Sequence, residues 1–130
     1  MSTRNSIVVD GFAHGAQPIP AASRVGPLLM TGGVHGIDRA TGKLADTLED
    51  QVAHMFDNLA AILQAGGGGM EHLVKLTIYA GVPEVRAAVN ARWEIEFPDP
   101  TSRPARHTLT SAQLRAPMLV QCDATAFIMT

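Results

Sequence analysis

The segment Met118–Met129 alternates with a period of two from end to end. Its even positions, Met118, Val120, Cys122, Ala124, Ala126 and Ile128, are all apolar or small. Successive strand side chains point to opposite faces, so this pattern requires a strand with one face against a core. Its odd positions mix Leu119, Phe127 and Met129 with Gln121, Asp123 and Thr125. That face is too apolar for bulk water and too polar for an ordinary core. A subunit interface holding a polar site accounts for it.

Two helices are available to cover the apolar face. Thr47 with Asp50 forms a T-x-x-D start signal, a variant of the capping box. Leu48, Val52, Met55, Phe56, Leu59, Ile62 and Leu63 follow at helical spacing, while Glu49, Asp50, Asp57, Asn58 and Gln64 fall on the other face. His54 lies beside the stripe as a packing or boundary residue. Gly66 is placed to end the helix in a left-handed conformation. A second helix is expected from Pro83 to about Glu96, with Val85, Val89, Trp93 and Phe97 as its stripe and Pro98 as its stop.

Short β-type runs fill the remainder: Ile7–Val9, Ala21–Gly26, Leu28–Thr31, Leu73–Ala80 and Ala105–Thr110. In Leu73–Ala80 the residues Val74, Leu76, Ile78 and Ala80 are expected on one face, and Leu73, Lys75, Thr77 and Tyr79 on the other. The order ββ(β)αβαββ predicts an α+β sandwich of ferredoxin-like type, a mixed sheet with two helices on one face. With 130 residues, one domain over 1–130 is expected.

Charged residues are 17% and hydrophobic ones 46%. The charged share lies below the usual ~25% and hints at surface buried between copies. Net charge is −2 and the ten basic residues are scattered, which disfavours sequence-independent nucleic-acid binding. No apolar run reaches the length of a membrane span, and Met1–Asn5 does not lead into a secretory leader. Cys122 is the sole cysteine, consistent with a reducing cytoplasm.

Arg106 is the first candidate for chemistry. It follows the Pro-rich stretch Phe97–Pro104 at the mouth of a β-type run. A guanidinium there can hold a carboxylate through two parallel charge-assisted hydrogen bonds, or it can be a solvated junction residue. Gly32-Gly33 at a strand end can offer backbone N–H groups to an anion, or can simply bend the chain. His14, His35, His54, His72 and His107 show neither H-x-H nor HExxH spacing, so no metal site is expected. Cys122 points toward the helices as a small buried hydrophobe.

Arg106, the Gly32-Gly33 bend and the Gln121/Asp123 face together resemble the RidA/YjgF family of reactive-intermediate deaminases. The resemblance runs from about Pro18 to Phe127. It is carried by Leu28-Leu29-Met30-Thr31-Gly32-Gly33, Thr41-Gly42-Lys43, Asp57-Asn58-Leu59, Gln64-Ala65-Gly66, Val74-Lys75-Leu76-Thr77, Val89-Asn90, Pro104-Ala105-Arg106 and the closing strand. It implies a chorismate-mutase-like fold, a homotrimer and clefts between subunits. It further implies that Arg106 binds a substrate carboxylate, with Gly33 backbone and Asn90 lining the pocket. The implied reaction is hydrolysis of a 2-enamine or 2-imine acid to a 2-keto acid and ammonia, with no metal or organic cofactor.

The chain departs from the family pattern at defined positions. The usual acidic residue of the closing strand is Gln121, whose amide can hold water but cannot serve as a general base. The usual pocket tyrosine falls near Ile19, and the frequent cysteine after the arginine is Thr108. His35 and His107 replace other residue types and are candidate proton donors. Two readings follow. One is a deaminase in which Arg106 clamps the carboxylate and Gln121 holds the water. The other is a non-catalytic trimeric module that binds small carboxylates. The family's link to RNA cleavage fits poorly with an acidic chain. Expected partners are a small carboxylate and further copies of the chain, with no nucleic acid and no membrane.

Overall fold

The computed structural model describes residues 3–129. Met1 and Ser2 of the N-terminal segment, and Thr130, lie outside them. The strands are β1 (Arg4–Ile7), β2 (Ala22–Val25), β3 (Leu28–Thr31), β4 (Val34–His35), β5 (Ile37–Asp38), β6 (Lys43–Leu44), β7 (Leu73–Ala80), β8 (Ala105–Thr110) and β9 (Val120–Phe127). The helices are α1 (Leu48–Ala65) and α2 (Val85–Glu96). The main sheet runs β1-β2-β3-β9-β7-β8, with β4 also paired to β9, while β5 and β6 form a separate hairpin. Only β7 and β8 run parallel within it; β9 is antiparallel to β3, β4 and β7.

Strand β9 keeps its expected alternation. Val120, Cys122, Ala124 and Ala126 are buried, and Cys122, Ala124 and Ala126 pair with Ile78, Leu76 and Leu29. Helix α1 covers this face with Val52, Met55, Phe56, Leu59, Ile62 and Leu63, each essentially fully buried. Burying one such side chain is worth about 1.5–3 kcal/mol. Phe56 of α1 meets Phe97 beyond α2 edge-on, and Trp93 stacks its edge against the same ring. Two helices on one face of a mixed sheet is the expected α+β arrangement.

Helix α1 starts as its cap predicts, with the Asp50 amide donating to Thr47 Oγ1 at 3.1 Å. Its end differs from expectation. Gly66 has φ −85°, and the left-handed residue is Gly67, at φ 92°. Gly67 and Gly68 amides donate to Gln64 and Leu63 carbonyls, the Schellman arrangement. Arg24 adds a cation at that end, donating to the Gly66 carbonyl at 2.5 Å and to the Ile128 carbonyl at 3.3 Å.

Other boundaries shift for local reasons. β1 ends at Ile7, because its ladder matches Ile7 to Ala22, and Val8 is left exposed. Pro83 and Glu84 form a turn ahead of α2, so the helix begins at Val85. Met118 belongs to a turn closed by its amide on the Arg115 carbonyl. A bulge between Leu73 and Lys75 reverses the expected faces at the start of β7, so Leu73 is buried and Val74 exposed.

Asn58, placed on the solvent face by periodicity, is 1% exposed. Its Nδ2 donates to the His35 and Ile37 carbonyls at 2.8 and 2.9 Å, and its Oδ1 accepts from Arg39 Nε at 2.9 Å. One amide therefore ties β4 and β5 to α1. Gln51, two turns earlier on the same helix, likewise joins Ala45, Pro117 and Leu119. Asn58→Ala removes the donors of two carbonyls and should lower stability by about 2–4 kcal/mol, read from urea unfolding at unchanged m-value.

A ring cluster sits beside β4. His35 stacks on buried Phe12 at 4.9 Å between centroids, and His14 meets both rings edge-on. Burial first, then the neighbouring His14, lowers the pKa of His35 from its ordinary 6.5. Folding thus favours neutral His35. Its contribution is intact above the unfolded value and is lost as pH falls through the lowered one. Between about pH 7.5 and pH 5, Tm should fall by less in His35→Leu than in the parent, once each is referenced to its own neutral-pH value.

Candidate functional site

Strand β8 lies at the sheet edge, and its register sets Arg106 beside Leu76, on the helix-covered side. Helix α2 supplies the surroundings. Arg106 Nη2 donates to Asn90 Oδ1 at 2.6 Å, and its guanidinium carbon lies 4.9 Å from the Trp93 ring centroid. Asn90 and Trp93 are one helical turn apart on α2, so both reach the same point. Burial, followed by repulsion from Arg86, lowers the Arg106 pKa, yet arginine remains a cation at any ordinary pH. No carboxylate pairs with Arg106 among the described residues; the acid partners Asp57 and Glu96 are both engaged by Arg92. The groove around it has a volume of about 320 Å³ and is walled by Asn90, Trp93, Glu94 and Arg103.

A guanidinium held in this way can accept hydrogen-bonding anions. The guanidinium is oriented by a neutral amide and an aromatic face, neither of which neutralises it. Thr108, two residues further along the same face, has a buried hydroxyl without a hydrogen-bond partner.

A second group of predicted residues lies on the opposite, uncovered face of the sheet. Gln121 pairs with Tyr79 on one side and His35 on the other. Tyr79 donates its hydroxyl to Asp123 Oδ2 at 2.8 Å, and that hydrogen bond is the main cause of its raised pKa. A groove of about 470 Å³ is lined by Gly33, Tyr79, Gln121 and Asp123 together with the Ser111–Leu114 loop. A Cβ on Gly33 would meet the amide end of the Gln121 side chain, which would have to move aside. The Gly33 carbonyl accepts from His14 Nε2 at 2.7 Å. The strand break at Gly32-Gly33 is bridged by Thr31, whose Oγ1 accepts the Ala124 amide.

The structure thus brings together Arg106 and Asn90, with Thr108 two residues along the same strand face, and separately Gly33 and Gln121. It does not join the two groups within one chain, because the sheet lies between them. His107 is exposed and shares the uncovered face with Thr77 and Asp123. His35 reaches Gln121 through the backbone register, but its ring turns into the Phe12–His14 cluster. Ile19 is 54% exposed on the loop before β2 and lines neither groove. Cys122 is fully buried, and that burial pushes its thiol pKa far up, which leaves it unreactive.

Sequence reasoning missed three residues. Trp93 packs against the core as its stripe position implies, but its ring also lies beneath Arg106. Its position three residues after Asn90 was the available signal. Tyr79 was placed correctly on its face, yet its pairing with Asp123 depends on strand register. Arg103 reads as a loop arginine, and only the fold sets it beside Arg106. Among the described residues no three of His, Cys, Asp and Glu come together as a metal cluster, and no helix is long and apolar enough to cross a membrane.

The model of the family described as Endoribonuclease L-PSP matches residues 14–128. A RutC family protein of Aquifex aeolicus is 35% identical over 97 residues, covering 75% of this chain and 78% of that protein. The 2-iminobutanoate/2-iminopropanoate deaminase of Salmonella typhimurium is 28% identical over 103 residues, covering 78% and 80%. Among solved structures, a putative endoribonuclease from Thermotoga maritima superposes with TM-score 0.87 at 29% identity, covering 97% of this chain and 98% of that one. RidA from Psychrobacter shares the fold at TM-score 0.86 and 24% identity, covering 95% and 99%. By sequence and by architecture, the chain belongs to the RidA/YjgF family.

Proposed function

We propose that this chain hydrolyses a small 2-enamine or 2-imine carboxylic acid to the 2-keto acid and ammonia, in a cleft completed by a second subunit of a homotrimer. The observation that carries the reading is Arg106: a half-buried guanidinium, aimed by Asn90 and Trp93, that forms no ion pair with a carboxylate among the described residues. A bound carboxylate fixes the adjacent C2, and positioning of this kind accounts for a large part of many enzymatic accelerations. Relatives named as imine deaminases support the reaction class.

The chemistry balances with water alone. An enamine takes a proton at C3 to become the imine. Water adds to C2, forming a C–O bond while the C=N π pair moves to nitrogen. The carbinolamine then loses ammonia as the C2–N bond breaks and the carbonyl forms. Gln121 can hold the water but cannot take its proton. Asp123 is the nearest carboxylate on the same strand face, roughly 6.5–7 Å further along, and it is already bonded to Tyr79. His35, held neutral by burial, is a poor acid near neutrality. His107, exposed on the uncovered sheet face, is the other candidate proton donor.

Assembly supports joining the two residue groups. The uncovered sheet face carries Val25, Leu28, Met30 and Phe127, each 43–53% exposed in the single chain. Apolar residues clustered on one sheet face are characteristic of surface covered by another copy. Sedimentation equilibrium should give a trimer at micromolar protein; a monomer would remove the shared cleft from consideration.

One observation favours the second reading, a carboxylate-binding module without catalysis. Gln121 packs its amide on Gly33 where the family's usual acid would stand. Ammonia release from freshly generated 2-iminopropionate separates the two. The parent should release ammonia above the buffer rate, and Arg106→Ala should lose most of it, with carboxylate binding weaker by about 1.5–3 kcal/mol. Gln121→Glu restores an ionisable group and should raise the rate, within the range of about 10²–10⁴-fold typical of general base assistance. A parent at the buffer rate that still binds pyruvate through Arg106 establishes the binding module instead.

A further inference from the structure

We propose that Arg103 is a specificity-determining residue that receives a second carboxylate, so that the site selects dicarboxylate imino or enamino acids over monocarboxylate ones. The inference rests on the reading of Arg106 as the receptor for the first carboxylate.

Arg103 and Arg106 wall the same groove of about 320 Å³. Arg103 is exposed but anchored. Its Nε donates to the Phe97 carbonyl at 2.9 Å, where that carbonyl terminates the chain leaving α2. This bond engages the inner edge of the guanidinium and leaves its two terminal nitrogens for a ligand. Among the described residues no carboxylate forms an ion pair with it, although its charge reaches Asp99 and Glu94 lines the same groove. Two guanidiniums in one small groove, neither held in an ion pair among the described residues, call for two negative charges.

The spacing suits a short dicarboxylate. Two residues lie between the arginines, three Cα–Cα steps, so their Cα atoms are at most about 10–11 Å apart. Pro104 between them fixes its own φ and holds the segment extended. A four- or five-carbon diacid spans such a gap once both side chains lean inward. Arg86, whose charge reaches Arg106, adds to the positive field and is itself directed to the Thr108 carbonyl. Glu94 supplies the opposing selection, since an anionic group not matched to an arginine would lie against its carboxylate.

The test uses stable keto acids as probes and isothermal titration calorimetry on the assembled protein. 2-Oxoglutarate and 2-oxobutyrate share the 2-keto acid end and differ in the distal carboxylate. The parent should bind 2-oxoglutarate about tenfold or more tightly, as expected for one added charge-assisted pair. Arg103→Gln should abolish that preference while leaving 2-oxobutyrate affinity unchanged. Arg103→Lys should keep part of it, because the charge stays and the planar fork is lost. Arg106→Gln should weaken both ligands. Equal affinities in the parent, or an Arg103→Gln variant that weakens both probes alike, overturns the proposal and leaves the Arg106 reading standing. Unchanged affinities in Arg106→Gln overturn that reading and the proposal with it.

Discussion

Strand β9 is hydrogen-bonded to β3 and β4 along one edge and to β7 along the other. Its alternation therefore decides the character of both sheet faces. A one-residue slip would expose Cys122 and Ala124 and drive Gln121 and Asp123 under α1. The burial of Val120, Cys122, Ala124 and Ala126 fixes the register. That register places Gln121 opposite Tyr79 and His35, and Asp123 where the Tyr79 hydroxyl can reach it. The polar group on the uncovered face is thus positioned by the apolar one behind it.

Most of the architecture was legible because period and punctuation agreed. Helix α1 runs between its Thr47 cap and its glycine stop, and β7 and β8 have the limits expected from their β-branched runs. Errors arose where a local rule met a tertiary demand. Helical periodicity assigns Asn58 to solvent, but the carbonyls of His35 and Ile37 need donors and the amide turns inward to supply them. Alternation assigns Val74 inward, but the bulge at the start of β7 reverses it. No local pattern encodes either feature.

The site was legible only in part, for a related reason. Residue types at Arg106, Asn90 and Gln121 are visible in the sequence, while the sheet that separates them is not. Charge was also deceptive. The basic residues are scattered in a chain of net charge −2, yet Arg86, Arg103 and Arg106 converge around α2 and β8. Such a local field persists because the groups are partly hydrated, and because a cation over an indole gains about 0.5–1 kcal/mol at exposed sites.

Trp93 is the only tryptophan of the chain, and it lies under the Arg106 guanidinium. Indole emission responds to nearby charge and to water, so the protein carries an optical reporter at the point where an anion would arrive. An anion that draws the guanidinium away from the ring, or screens its charge, alters that emission without any label. Any occupant of this groove could therefore be followed in solution, on the unmodified chain, at the time resolution of stopped flow.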